Sequence, residues 1–384
     1  MATPPEPVAT PLSTAGRFIV GADGRRVKLA GGNWFGAHED HGVAAGLDRV
    51  HRDALARTIA GLGLNSVRLL FSVWMTEQTA PVPDRYLSAN PDLSGATPLE
   101  VFDACVAALT GAGLIVIPNC HVLSGGWCCT NEDRNGLWYS DHWPADRFTA
   151  AWVSIVTRYA GNPLVAAVDL YNEPRRTTVG GQALTPTWGS GDPATDVAAL
   201  YTATGNLLHA IDPDLLIICE GLNYASDLTG VAAHPVRLDR PGKVVYSVHD
   251  YPWFHEDWES RRRFARELTR RAGFILDQEI APLWLGEFST SFAGPGSGFA
   301  SGAGARWWTN MHAWLVRNDV DWCWWGLNGS HVQGTTPVTN QRKFNWGDRA
   351  PDGLLAEDWA GPANPAFMSG LQDLVRPVTG PGVA

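Results

Sequence analysis

The sequence predicts an α/β fold, a (β/α)8 TIM barrel with a short N-terminal hairpin closing its bottom. Three observations predict it. Eight runs of five to eight residues are apolar almost throughout, the pattern of parallel strands covered on both faces. Amphipathic stretches alternate with these runs at a spacing of roughly 40 residues. Residues able to do chemistry gather at the C-terminal ends of the runs, the face on which such barrels carry their sites.

In chain order, residues 1–14 are rich in Pro, Ala and Thr and read as a loose tail. Residues 16–26, with a Gly-Ala-Asp-Gly turn, read as the closing hairpin. Strands follow at 27–34, 65–71, 114–121, 164–171, 215–219, 244–249, 283–288 and 320–325. Between 47 and 62, Leu47, Val50, Ala54, Ile59 and Leu62 fall at helical spacing, with Arg52, Asp53 and Arg57 on other faces. Residues 261–275 place Phe264, Leu268 and Ile275 on one stripe and six Arg elsewhere, as a solvated face. Further helices are expected at 98–112, 145–160, 194–211, 303–317 and 364–375. Residues 377–384 read as a second loose tail, and no linker divides 15–376, which is expected to be one domain. A doubly wound sheet is the rival architecture. It is disfavoured because Gly31-Gly32 lies inside the first strand and no G-x-G-x-x-G opens a helix.

The formal charge of −10, from 29 Lys and Arg against 39 Asp and Glu, argues against nucleic acid or an anionic membrane as a partner. No run reaches 18 apolar residues, so no membrane span is expected. The first residues lack the basic and apolar regions of a signal peptide. A mature exported chain begins the same way, so location stays open, with an extracellular site expected if a leader has been removed. Trp occurs 18 times and His 11 times. So many indoles are hard to bury completely, and some are expected to offer flat apolar faces to a ligand such as a sugar. Six Cys are too few and too scattered for a disulfide framework. Cys105, Cys219 and Cys323 lie in apolar runs as buried thiols, while adjacent Cys128 and Cys129, with Cys120 nearby, leave room for one bridge.

The strand ends read, in order, Trp34, Arg68, His121, Asn172-Glu173, Glu220, His249 with Tyr251, Glu287 and Trp325. Glycosidic hydrolysis needs two carboxyl groups across a pocket, one protonated to assist the leaving oxygen and one ionised to attack the anomeric carbon. Glu173 ends the fourth strand and Glu287 the seventh, on opposite sides of an eight-strand ring. Their side chains are therefore expected to face each other across its mouth.

Asn172-Glu173-Pro174, His249-Asp250-Tyr251 and Gly286-Glu287-Phe288, together with Gly32-Asn33-Trp34-Phe35-Gly36 and Trp325, resemble glycoside hydrolase family 5, the cellulase family of clan A. The segments 245–251 and 281–288 are similar to those of secreted bacterial endo-β-1,4-glucanases of that family. The resemblance implies a retaining β-glycosidase with Glu173 as acid/base and Glu287 as nucleophile. It implies Arg68 and Tyr251 beside Glu287, holding it ionised, and Asn172 on the sugar 2-hydroxyl. It further implies His121 and His249 on sugar hydroxyls or the acid/base, and Trp325 under the reacting ring. Trp34, His41, Trp127 and Trp253 are additional candidates for substrate contact. Asp169 is expected to pack or support other groups. Relatives of this kind bridge a Cys after the third strand to the first βα loop; this chain reads Ala-His-Glu-Asp-His at 37–41, so that bridge is absent and Cys128 pairs with Cys129 or stays free. Trp127, Trp138, Trp188, Trp253 and Trp258 lie on loops, where they line a long cleft for a polymer or wall off a pocket for a small glycoside.

The implied substrate is a β-linked glucan, with an exo-acting β-glucosidase or disaccharide-releasing β-glycosidase on aryl or alkyl glycosides as the alternative. No cofactor is expected, and the chain is expected to be a monomer. His38-x-x-His41, and His249 with His255, lack the third convergent ligand that zinc normally has. No G-x-S-x-G elbow supports a serine nucleophile. A non-catalytic carbohydrate-binding barrel would keep the Trp but commonly lose a Glu, and both Glu are present.

Overall fold

A computed structural model of the protein describes residues 8–256, 260–294, 296–335 and 342–375. Eight parallel strands close into a barrel: β1 (Ala30–Trp34), β2 (Ser66–Ser72), β3 (Ile115–Val122), β4 (Ala167–Asp169), β5 (Leu216–Glu220), β6 (Val244–Asp250), β7 (Leu283–Phe288) and β8 (Asp321–Trp324). Each strand pairs with its neighbours in sequence, and β8 closes on β1. Every strand residue but one is buried, which is why the runs read as continuously apolar instead of alternating. Gly31 stands in β1 because a Cβ there would lie 2.4 Å from the Ser66 carbonyl oxygen on β2.

Helices lie outside the ring, at Arg52–Gly61, Pro98–Gly111, Ala145–Tyr159, Val197–His209, Gly302–Asn318 and Pro365–Val375. The first is shorter than its apolar spacing suggests. Asn90 Nδ2 donates to the carbonyls of Leu47 and Val50 (2.8 and 3.0 Å), so residues 47–50 turn instead of extending the helix. The stretch at 261–275 is likewise broken: Arg261–Leu268 passes through a π turn at Thr269–Gly273 into Phe274–Asp277.

Residues 8–14 correct the expected loose tail. Ser13–Ala15 pairs with Phe18–Val20, and Val20 bridges to Arg26 across the 21–24 turn. Leu12, Ile19 and Leu29 plug the bottom of the ring against Ile115, Leu216 and Trp284. Residues 1–7 and 377–384 lie outside the described residues.

At the other end the register shifts between Phe71 and Ser72, between Val248 and His249, and between Leu285 and Phe288. Such irregularities re-aim side chains. Here they fall where β2, β6 and β7 present their polar ends to the mouth of the ring.

Candidate active site

Arg68 projects from β2 into the mouth and is completely buried. Its Nε donates to Asp169 Oδ2 (2.7 Å), Nη1 to Asn33 Oδ1 (2.9 Å) and Glu287 Oε1 (2.5 Å), and Nη2 to Asn172 Oδ1 and Glu220 Oε1 (2.8 Å each). One planar guanidinium thus fastens groups from β1, β4, β5 and β7 to β2.

Glu220 is a second hub. Besides Arg68, it accepts from the Glu173 backbone N–H at 2.6 Å and stands 3.5 Å from His249 Nε2. The other ring nitrogen, Nδ1, lies 3.0 Å from Glu173 Oε1 and 3.5 Å from Glu287 Oε2. Tyr251 donates its hydroxyl to Glu287 Oε2 at 2.8 Å. Oxygens of Glu173 and Glu287 and a nitrogen of His249 all lie within 4.8 Å of one another. The two carboxyl groups therefore converge. Glu173 holds a left-handed backbone (φ 48°), uncommon for a side chain of this type. Glu220 on its N–H and Arg175 Nη1 on its carbonyl oxygen (2.8 Å) keep it there.

The electrostatics are shared among these groups. Burial opposes charge on His249, but Glu287 and Glu220 overcome it and hold the imidazole protonated well above its ordinary range. Burial likewise works against the Glu220 carboxylate, yet His249 and Arg68 pull it down to about 2. Burial pushes the Glu287 carboxyl above the usual range; His249 and Arg68 pull back, while Glu173 and Glu220 add to the push. Support for the Glu287 anion thus comes from His249 as well as from the expected Arg68 and Tyr251. Burial, reinforced by Glu287, keeps the Tyr251 phenol protonated and so a donor. His121, pushed down by burial and by its cationic neighbours, is neutral.

Above the carboxyl groups lies a cleft of about 570 Å³, lined by Glu173, Glu287, His121, Tyr251, Trp127, Trp253 and Trp325, with the disulfide Cys128–Cys129, Tyr224, Phe254, His331, Lys343, Phe344 and Asp352. Trp325 lines the cleft and is near-parallel to the rings of Phe35 (5.3 Å) and His121 (5.5 Å). Trp253 is 70% exposed and stacked on Tyr251 at 4.4 Å. Arg175, paired with Asp133 and donating to the Thr130 carbonyl, anchors the loop that carries the disulfide.

Several expected contacts are corrected. Trp34 is buried in the core, its indole N–H donating to the Ala45 carbonyl (2.9 Å); it points outward from β1 and does not reach the cleft. His41 packs on Tyr86 and Trp346 and stays out of the cleft lining, and His38 meets His121 edge-on, so these two do not share a centre. His255 pairs with Asp250, not His249. His249, by contrast, is fully buried with Nδ1 against Glu173, the acid/base side of the two placements expected for it. Asn172 is also buried, its Nδ2 turned toward Cys129 Sγ (3.5 Å). Trp138 and Trp188 stay outside the cleft lining, and Trp258 lies outside the described residues. Asp169 supports Arg68, as expected.

Residues not singled out beforehand complete the site. Asn33 positions Arg68, and its signal was the Gly-Asn-Trp segment ending β1. Glu220 had the strand-end signal but not the hub role, which depends on the two flanking strands and on Arg68 from across the ring. His331, Lys343, Phe344 and Asp352 come from the long segment after β8, which has no periodicity to read. Among the described residues, two groups bring three metal-capable side chains together: Glu173, His249 and Glu287, already knitted by hydrogen bonds, and His121, Cys128 and Cys129.

Comparison with known proteins identifies the family and the fold. The chain is 29% identical to an endoglucanase of Paenibacillus polymyxa over 368 residues, covering 90% of this chain and 82% of the relative. It is 32% identical over 208 residues to a major extracellular endoglucanase of Xanthomonas campestris pv. campestris, covering 54% and 40%. A hyperthermophilic endocellulase from the archaeon Pyrococcus horikoshii has the same fold, with TM-score 0.77 at 23% identity over 96% of this chain and 100% of that one. The family model described as cellulase, glycosyl hydrolase family 5, matches residues 20–331, and the chain belongs to that family.

Proposed function

We propose that this glycoside hydrolase is a retaining endo-β-1,4-glucanase in which Glu287 attacks the anomeric carbon and Glu173 is the acid/base. The observation that carries the reading is the approach of the two carboxyl groups to within 4.8 Å. Retaining enzymes hold this pair about 5–5.5 Å apart, and inverting ones leave about 6.5–9.5 Å for a water. The division of roles follows from unequal support. Glu287 has donors in Arg68 and Tyr251 with His249 at 3.5 Å, whereas the Glu173 carboxyl has His249. Glu287, with the more donors aimed at its oxygens, is equipped to act as the carboxylate nucleophile, and Glu173, with the fewer, is assigned the acid/base role.

In the first step Glu173 gives its proton to the glycosidic oxygen as that bond breaks, and Glu287 bonds to the anomeric carbon. Glu173 then takes a proton from water, whose oxygen displaces Glu287. Trp325 offers a face beneath the reacting ring, and Trp127 and Trp253 extend apolar surface along the cleft. The substrate is a carbohydrate; a β-1,4-linked glucan is favoured by the names of the relatives, and export by the word extracellular in one of them. We take the expected domain of residues 15–376, with the strand and plug of residues 8–14 added to it, as one catalytic domain acting as a monomer. Among the described residues no helix is long and apolar enough to cross a membrane.

The test is hydrolysis of a soluble β-1,4-glucan by wild type and Glu287→Gln. A fast drop in viscosity per new reducing end, abolished in the variant, is expected. Glucose or disaccharide release from aryl glycosides without a viscosity drop selects the exo reading. Sugar binding without product release from any substrate selects the non-catalytic barrel.

A further inference from the structure

The Cys128–Cys129 disulfide forms part of the cleft wall and is surrounded by nitrogen-bearing side chains. His121 Nε2 stands 3.4 Å from Cys128 Sγ. The tautomer of that ring follows from its other partner. Nδ1 lies 3.0 Å from Asn119 Oδ1, and Asn119 is oriented by donating its amide to Asp169 Oδ2 at 3.1 Å. An amide oxygen only accepts, so Nδ1 carries the hydrogen and Nε2 aims a lone pair at the sulfur. A metal-binding histidine is held in this way, with its second ring nitrogen donating to an oxygen.

We propose that reduction of Cys128–Cys129 creates a soft-metal site in the cleft, where the two thiolates and His121 Nε2 bind one Zn²⁺ or Co²⁺. In the oxidised chain one donor atom from each residue lies within 4.8 Å of the others, and once the S–S bond is broken the two sulfurs part to about 3.8 Å to share a tetrahedral metal. Tetrahedral zinc, with Zn–S of about 2.3 Å and Zn–N of about 2.0 Å, sets sulfur and nitrogen about 3.5 Å apart. The observed 3.4 Å is close to that. The reduction balances with a phosphine as reductant: it takes the oxygen of one water to become the phosphine oxide, and the S–S bond becomes two thiols. Metal binding then expels the two thiol protons to solvent, while the neutral imidazole contributes its lone pair without losing one. Water fills the fourth position. The metal would stand against Trp325 and Glu173, in the space assigned above to the sugar. Only this blocking effect rests on the glucanase reading.

The full chain is reduced with a phosphine, freed of reductant under inert gas and titrated with Co²⁺. Two thiols beyond the four free cysteines are expected, with a thiolate-to-cobalt charge-transfer band saturating at one metal per chain. The oxidised chain, Cys128→Ser and Cys129→Ser are each expected to lack the band. Wild type alkylated after reduction serves the same purpose if a variant does not fold. No band in a chain whose thiols have been counted, or a band persisting in the variants and after alkylation, overturns the proposal. Zn²⁺ is expected to abolish hydrolysis by the reduced chain only, with recovery on chelation. A cobalt band without loss of hydrolysis upholds the metal site and overturns the placing of the sugar against it.

Discussion

Replacing Arg68 by Lys keeps the charge and removes the fork. Five acceptors, on Asp169, Asn33, Glu287, Asn172 and Glu220, now share one guanidinium. An ammonium has three donors on a single atom, so at least two of the five acceptors lose their partner. A buried acceptor left unsatisfied costs about 1–3 kcal/mol, giving about 2–6 kcal/mol in all. With an unfolding entropy near 2.1 cal/mol/K per residue, a chain of this length loses roughly 1 °C for each kcal/mol, so Tm is expected to fall by about 3–7 °C. Glu287 and Asn172 lose their common anchor, and kcat/KM is expected to drop about 100-fold or more, the scale of misplacing a reacting group by 1 Å. Thermal unfolding by circular dichroism and hydrolysis of a soluble glucan measure the two effects. A Tm within about 1 °C of wild type together with kcat/KM within about threefold refutes the reasoning, since either acceptor loss alone exceeds both.

Three further outcomes follow from the same geometry. Glu173→Ala is expected to lower glucan hydrolysis by about 10²–10⁴-fold while sparing the first step on aryl glycosides with good leaving groups, seen as a burst of released phenol. Because Glu287 acts ionised and burial holds its carboxyl above the usual range, activity is expected to fall with decreasing pH along a limb lying above about 4.3; a kcat/KM profile flat down to that pH contradicts the assignment. Trp253→Ala removes the exposed ring stacked on Tyr251 and is expected to raise KM for the glucan about five- to thirtyfold, or about 1–2 kcal/mol of apolar contact, with kcat nearly kept. An unchanged KM removes Trp253 from the substrate path.

The parts of the site legible in the sequence are those in which one strand does the placing. Glu173 and Glu287 each follow an apolar run with no local partner for their charge, and a carboxylate so placed must look into the mouth of a barrel. What depends on closure of the ring was not legible. Arg68 was visible as a strand-end cation, but its acceptors come from four other strands and meet it only in the register the closed barrel imposes. Trp34 misled because aromatic character was weighed ahead of alternation. Successive strand residues face opposite sides, so Asn33 turning inward to Arg68 sends Trp34 outward to the core. The helix at 52–61 lost its first turn to a remote side chain, Asn90, which periodicity cannot reveal. Leu12 in the supposed tail is buried because the bottom of the ring is apolar and open until something fills it.

The central claim is that Glu173 and Glu287 act on one anomeric carbon at a spacing that forces double displacement. Proton NMR of the first sugar product, recorded before mutarotation, tests it most directly. The account predicts that the β-anomer appears first; the α-anomer appearing first would contradict it.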